Sequence, residues 1–115
     1  MKIFHKFASI INTDSGSISF TVGNHNLFEE TVKPITIDSV QVNGTEFLLQ
    51  REPDMKLVFQ HTSPNFGTRI SRLDLRKVPK SIENMIVFTW SPEEIRVYIE
   101  VKGRAPVQGD YIKVT

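Results

Sequence analysis

Cysteine is absent from this 115-residue chain. That excludes a disulfide framework and any thiolate metal site, and it mildly favours a reducing compartment. A strong charge of either sign is also missing. The formal net charge is +1, whereas a dedicated nucleic-acid binder is usually more basic. No long apolar run is present. The amino-terminal stretch MKIFHKFASII is interrupted by His5 and Lys6, which leaves it too short for a secretion signal or a membrane span, and no small-residue cleavage site follows. The expectation is an ordinary first strand or a short amphipathic segment, in a soluble cytoplasmic chain or a domain cut from something longer. Internal repeats, low-complexity tracts and a linker are lacking as well, so residues 1–115 are expected to form one domain with one core.

What remains is a β-rich pattern. Apolar residues make up 39% of the chain, and eight phenylalanines supply the bulk that a two-layer core needs. The densest stretch runs from Asn84 to Gly103. Ile86, Phe88 and Trp90 share one side of an extended chain, and Ile95, Val97, Ile99 and Val101 repeat the alternation after a polar break. Ser91-Pro92-Glu93-Glu94 also fits a helix start. The β-branched residues in strict alternation that follow it favour a hairpin with its turn at Ser91–Glu94.

The same reading extends along the chain. Ile18, Phe20 and Val22 alternate with Ser17, Ser19 and Thr21, which predicts a half-buried strand with a polar outer face. Ile35–Val42 changes parity, because Ile35 and Ile37 share one face while Val40 and Val42 share the other. A bulge or break near Ser39 is expected there. Asn43-Gly44 accepts the positive φ of a two-residue hairpin turn. It joins that strand to Thr45–Gln50, and Glu52-Pro53-Asp54 turns the chain into a third strand with Met55, Leu57 and Phe59 on one side. Arg69–Leu75 is read as a strand, although Ile70 with Leu73 and Leu75 with Val78 also suit a helix. A short strand at Tyr111–Val114 ends the chain, while residues 3–11 fit helical and strand spacing equally. Seven to nine short strands with little helix predict an all-β, antiparallel sandwich or barrel.

The run Val87-Phe88-Thr89-Trp90, a polar loop, then Ile95-Arg96-Val97-Tyr98-Ile99 and Lys102-Gly103 resembles the late hairpin of laminin G-like domains. Those belong to the concanavalin A-like jelly rolls. Ser17-Ile18-Ser19-Phe20 is similar to that family's early strand, and the Ile35–Phe59 meander falls where its middle strands would. The resemblance implies a jelly-roll β-sandwich that acts as a binding module for carbohydrate or for another protein. One departure is the long run Tyr98-Ile99-Glu100-Val101-Lys102-Gly103, where the family often turns sooner at Asp-Gly. The family's calcium and sugar loops have no residue-by-residue counterpart here.

Chemistry-bearing residues are sparse. Glu29-Glu30 and Glu93-Glu94 are adjacent pairs, whose members point to opposite faces of an extended chain. They do not match the spaced carboxylates of a glycosidase. His5, His25 and His61 lack partners at metal-ligand spacing, and His61 continues the apolar face of Leu57 and Phe59. No nucleophile elbow or phosphate-cradling glycine loop occurs. The expectation is therefore a non-enzymatic protein with no cofactor and no metal. Trp90 shares the core face with Ile86 and Phe88, whereas Tyr98 lies on the polar face beside Arg96 and Glu100. For a sugar, Asn24, His25 and Tyr98 are the first candidates. Arg69, Arg72, Arg76, Lys77 and Lys80 form one basic cluster, partly neutralised by Asp74, that would suit an anionic polymer. A structural domain that assembles through a sheet edge or face is the further alternative.

Overall fold

The computed structural model describes residues 12–22, 27–29, 31–81 and 83–114. The ambiguous segment 3–11 and the candidate residues Asn24 and His25 lie outside these. The molecule is an antiparallel β-sandwich. One sheet pairs β1 (Gly16–Thr21), β6 (Met85–Trp90), β7 (Ile95–Glu100) and β8 (Val107–Gln108) in that order. The other pairs β2 (Ile35–Val42), β3 (Thr45–Glu52), β4 (Lys56–Ser63), β5 (Gly67–Asp74) and β9 (Ile112–Lys113). We call them the four-stranded and five-stranded sheets.

Period-two alternation builds both layers, since every second side chain of a strand faces the same way. Ile95, Val97 and Ile99 on β7 are fully buried, as are Phe47 and Leu49 on β3 and Leu57 and Phe59 on β4. Aromatic rings bridge the two inner faces. Phe59 meets Phe88 at 4.8 Å between centroids, and Phe47 meets Trp90 edge-on at 5.0 Å. Such a pair contributes roughly 0.5–1.5 kcal/mol beyond the area it buries.

The Asn43-Gly44 turn has both residues at positive φ, 50° and 81°, as a hairpin of this twist requires. The parity change in β2 is a bulge between Thr36 and Asp38, slightly earlier than the Ser39 expected from sequence. Its effect is to turn Asp38 and Val40 inward while Ile35 is left exposed. Met55 departs from the sequence reading. It belongs to the β3–β4 turn with φ of 57°, next to Asp54 at 70°, and its carbonyl accepts the Leu75 N–H at 2.8 Å. After β5 the chain closes into a 3₁₀ turn, Leu75–Lys77, capped by the Asp74 side chain. Strand and helical spacings overlap in this sequence because the chain changes state at Asp74.

The two sheets are joined at a corner. The chain leaves β8 in one sheet and becomes β9 in the other through Gly109 and Asp110. Gly109 N–H donates to the Val97 carbonyl at 2.8 Å, and Asp110 N–H donates to the Arg72 carbonyl at 2.9 Å. Ser71 Oγ accepts the Val97 N–H at 3.0 Å and donates to the Asp110 carbonyl. A Cβ on residue 109 would lie 2.8–2.9 Å from Arg72 O, Ser71 Oγ and Val97 O, so only glycine fits this crossing.

Buried polar groups occupy the ends of the interior. At one end Arg51 is 3% exposed, with Nη1 donating to the Leu27 carbonyl and Nη2 lying 3.5 Å from Met55 Sδ. Burial lowers its pKa from the ordinary arginine value. At the other end lie His61 and Arg69, both at 1% exposure or less.

Candidate functional site

Strand pairing arranges the outer face of the four-stranded sheet as a grid. Ser17, Thr89 and Arg96 form one row; Ser19, Val87, Tyr98 and Gln108 form the next; Thr21, Met85 and Glu100 form the third. Tyr98 stands near the middle, half-buried, and its hydroxyl has no hydrogen-bond partner among the described residues. The β1 lane beside Val87 carries only hydroxyl side chains, Ser17, Ser19 and Thr21. Val87 is itself buried at 4% exposure, so Tyr98 is the accessible apolar side chain of its row. Arg96 is fixed in place: Nε and Nη2 donate to Glu94 Oε2 at 3.0 and 2.7 Å, and Nη1 donates to the Gly109 carbonyl at 2.7 Å. Its charge is thereby largely neutralised while two guanidinium hydrogens remain unassigned.

The basic cluster expected from sequence is taken apart by the fold. Arg69 points inward and is 1% exposed, because β5 alternates and places residues 69, 71 and 73 on the interior side. It is therefore no part of a surface anion site. Arg72 and Arg76 are on the surface but engaged. Arg72 meets Glu52 at 3.3 Å, Arg76 meets Asp54 and Asp74 at 3.1 Å each, and Lys56 meets Asp74 at 3.5 Å. Three cations and three carboxylates cancel within this network. The Arg76 hydrogen bond holds the Asp74 carboxyl at a pKa of about 2, and the same pair raises that of Arg76. Lys77 and Lys80 are exposed without an acidic partner among the described residues.

His61 and Arg69 form a third constellation. Arg69 Nη1 donates to the Ser91 carbonyl at 2.6 Å, and its guanidinium lies 4.7 Å from the centre of the Phe66 ring. His61 Nδ1 accepts from Arg69 Nη2 at 3.2 Å, and Nε2 donates to the Thr13 carbonyl at 2.9 Å. A guanidinium only donates and a carbonyl only accepts, so the imidazole is the neutral Nε2–H tautomer. Burial lowers its pKa, and the neighbouring Arg69 charge adds to the effect. This cluster is enclosed and faces no surface ligand.

Tyr98 was visible in the sequence as an aromatic on a polar face. Its row partners Ser19, Val87 and Gln108 were not, because only strand register brings these separate segments into one row. The signal for Ser19 and Val87 was their parity opposite Ile18 and Phe88. No comparable signal exists for Gln108, whose strand has two residues. Among the described residues, no group of three His, Asp or Glu side chains converges as a metal site would, and no helix is long and apolar enough to cross a membrane. Compared with protein-family models, curated proteins and solved structures, the chain matches none.

Proposed function

We propose that this protein is a non-enzymatic binding module that receives a carbohydrate on the outer face of its four-stranded sheet, with Tyr98 as the stacking platform. The observation that carries this reading is Tyr98 itself. It is a half-buried ring in mid-sheet whose hydroxyl has no partner among the described residues, with Val87 and Gln108 directly opposite it, Ser19 one strand beyond Val87, and Thr89 in the next row. A sugar offers both a C–H face and a rim of hydroxyls. An aromatic ring suits the first, and small hydroxyl and amide side chains suit the second. Strands lie about 4.8 Å apart, so the four-residue row spans roughly 14 Å, which suits a short oligosaccharide better than a single ring. Arg96, held rigid by Glu94 and Gly109, supplies oriented donors at one edge without a free charge.

Kinship with the concanavalin A-like jelly rolls, and with laminin G-like domains among them, is part of this proposal. Its support is the two-sheet architecture and the β6–β7 hairpin. The uninterrupted β2–β5 meander is simpler wiring than the paired Greek keys of a jelly roll. A glycan array followed by titration calorimetry tests the function. Binding that persists in Tyr98→Phe and fails in Tyr98→Ala supports it; an array without hits above background removes it.

A second reading, a structural domain that assembles through a sheet edge, is favoured by exposed aliphatics on the last strand. Ile112 on β9 and Val114 just after it are 41% and 54% exposed, and among the described residues β9 is paired on one side only. Light scattering at two concentrations decides it, since a strictly monomeric species counts against assembly.

A further inference from the structure

The segment that enters β1 crosses the end of the sandwich as a strap, and it is gripped from both sheets at once. Trp90 of β6 donates from Nε1 to the Asn12 carbonyl at 2.7 Å, and His61 of β4 donates from Nε2 to the next carbonyl, Thr13, at 2.9 Å. Gly16 lies against the indole so closely that a Cβ there would fall 2.6 Å from Trp90 Cζ2. The His61 grip depends on a bare Nδ1, because that nitrogen accepts from Arg69 Nη2. Arg69 has no freedom to adapt: it stays charged, it is 1% exposed, and Ser91, Pro92 and Phe66 hold it.

We propose that His61 is a pH-sensitive latch, which holds the strap at neutral pH and releases it when the imidazole takes up a second proton. Protonation puts a hydrogen on Nδ1, pointed at a donor 3.2 Å away that carries the same sign of charge. Either the ring or the strap must move, and the ring is walled by Phe47, whose centroid lies 5.1 Å away. The charged groups facing His61 are Arg69 from β5 and Asp14 from the strap itself. Burial of the ring and the Arg69 charge drive release; the Thr13 carbonyl, which accepts more strongly from a charged imidazole, and Asp14 oppose it, and burial outweighs them. The sign follows from where the proton binds best: the released imidazole, in water, has the higher affinity, so acid favours the open strap. Partial openings of this kind are drawn from the least stable parts of a fold, and a peripheral strap is one. The proposal needs no ligand and stands apart from the sugar reading.

Trp90 is the only tryptophan, so its emission reports the grip. Titrating the unmodified protein from about pH 7.5 to about pH 4.5, across the usual histidine range, should red-shift that emission with a midpoint below 6.5, the ordinary histidine value. Far-UV circular dichroism should stay constant. His61→Gln should abolish the shift, since a glutamine carbonyl can accept from Arg69 while its amide donates to Thr13, and neither titrates. A flat wild-type emission, a shift that survives in His61→Gln, or loss of the dichroism signal together with the emission change would each overturn the latch. If the variant does not fold, nitrogen-15 shifts of the His61 ring in the wild type decide. The latch requires an Nε2–H tautomer at neutral pH that titrates together with the Trp90 indole signal. The opposite tautomer, or a ring that stays neutral throughout, overturns it.

Discussion

The two outer faces of the sandwich are built on the same strand geometry and end up with opposite chemistry. On the five-stranded sheet, charges meet across strands: Arg72 reaches Glu52, Lys56 reaches Asp74, and Arg76 draws Asp54 and Asp74 together at the end of β5. Each of these ions has its counter-ion on the face itself, so little of their charge is left to offer a partner. On the four-stranded sheet the grid around Tyr98 is hydroxyls, an amide, a valine and a methionine, with the exposed carboxylate of Glu100 at its border. Its one arginine is tied down by a neighbour in its own strand's approach and by a backbone carbonyl. A surface closed on itself is a stability device of small effect, whereas the Tyr98 face keeps hydrogen-bonding groups without partners among the described residues. That difference is why the proposed ligand site lies on the four-stranded side.

The sharpest way to break the comparison is to remove the platform. Tyr98→Ala is expected to weaken oligosaccharide binding at least about tenfold, or ~1.4 kcal/mol, measured by calorimetry, while Gln60→Ala on the opposite face leaves binding unchanged. Equal losses from both variants would erase the distinction between the faces. Next comes Arg96→Ala, which strips the Gly109 carbonyl of its guanidinium donor at the sheet crossing. A loss of about 1 kcal/mol in urea unfolding is expected, with weaker binding alongside. On the ion-paired face, the depressed pKa of Asp74 sets a pH window. Its contribution is present above 3.8 and disappears as pH falls from 3.8 toward about 2. Thermal midpoints of the wild type and Asp74→Asn should therefore differ near neutrality and converge across that window. The smallest effect is expected from a double-mutant cycle on Arg72→Ala and Glu52→Ala, with a coupling energy of about 0.2–1 kcal/mol that shrinks with added salt. A coupling well above that would mean the ion-paired face holds the fold together rather than decorating it.

Much of the architecture was legible from residue order because strand patterning is local. The alternation in Ile95–Ile99, the Asn43-Gly44 turn and the opposed faces of Trp90 and Tyr98 all depend on neighbours within a few residues. Where the reading slipped, a distant contact was responsible. Met55 seemed to extend a strand, yet its carbonyl is taken by Leu75 and its sulfur lies beside Arg51. The basic run 69–80 looked like one surface, but β5 turns Arg69 into the interior, where His61, Ser91 and Phe66 receive it.

By itself, then, the sequence determined the β class, the hairpins, the inward side of β1, β6 and β7 and the candidacy of Tyr98. Those follow from period-two geometry and turn stereochemistry, which act over a handful of residues. Only the tertiary structure decided which strands share a sheet, and thus that Ser19, Val87, Tyr98 and Gln108 form one row. It also decided that the chain crosses between sheets at Gly109, that Arg72 and Arg76 are spent on carboxylates, and that His61 and Trp90 hold one strap together. Each of these depends on register between segments far apart in the chain, and register is set by the shared burial of whole faces rather than by any local preference.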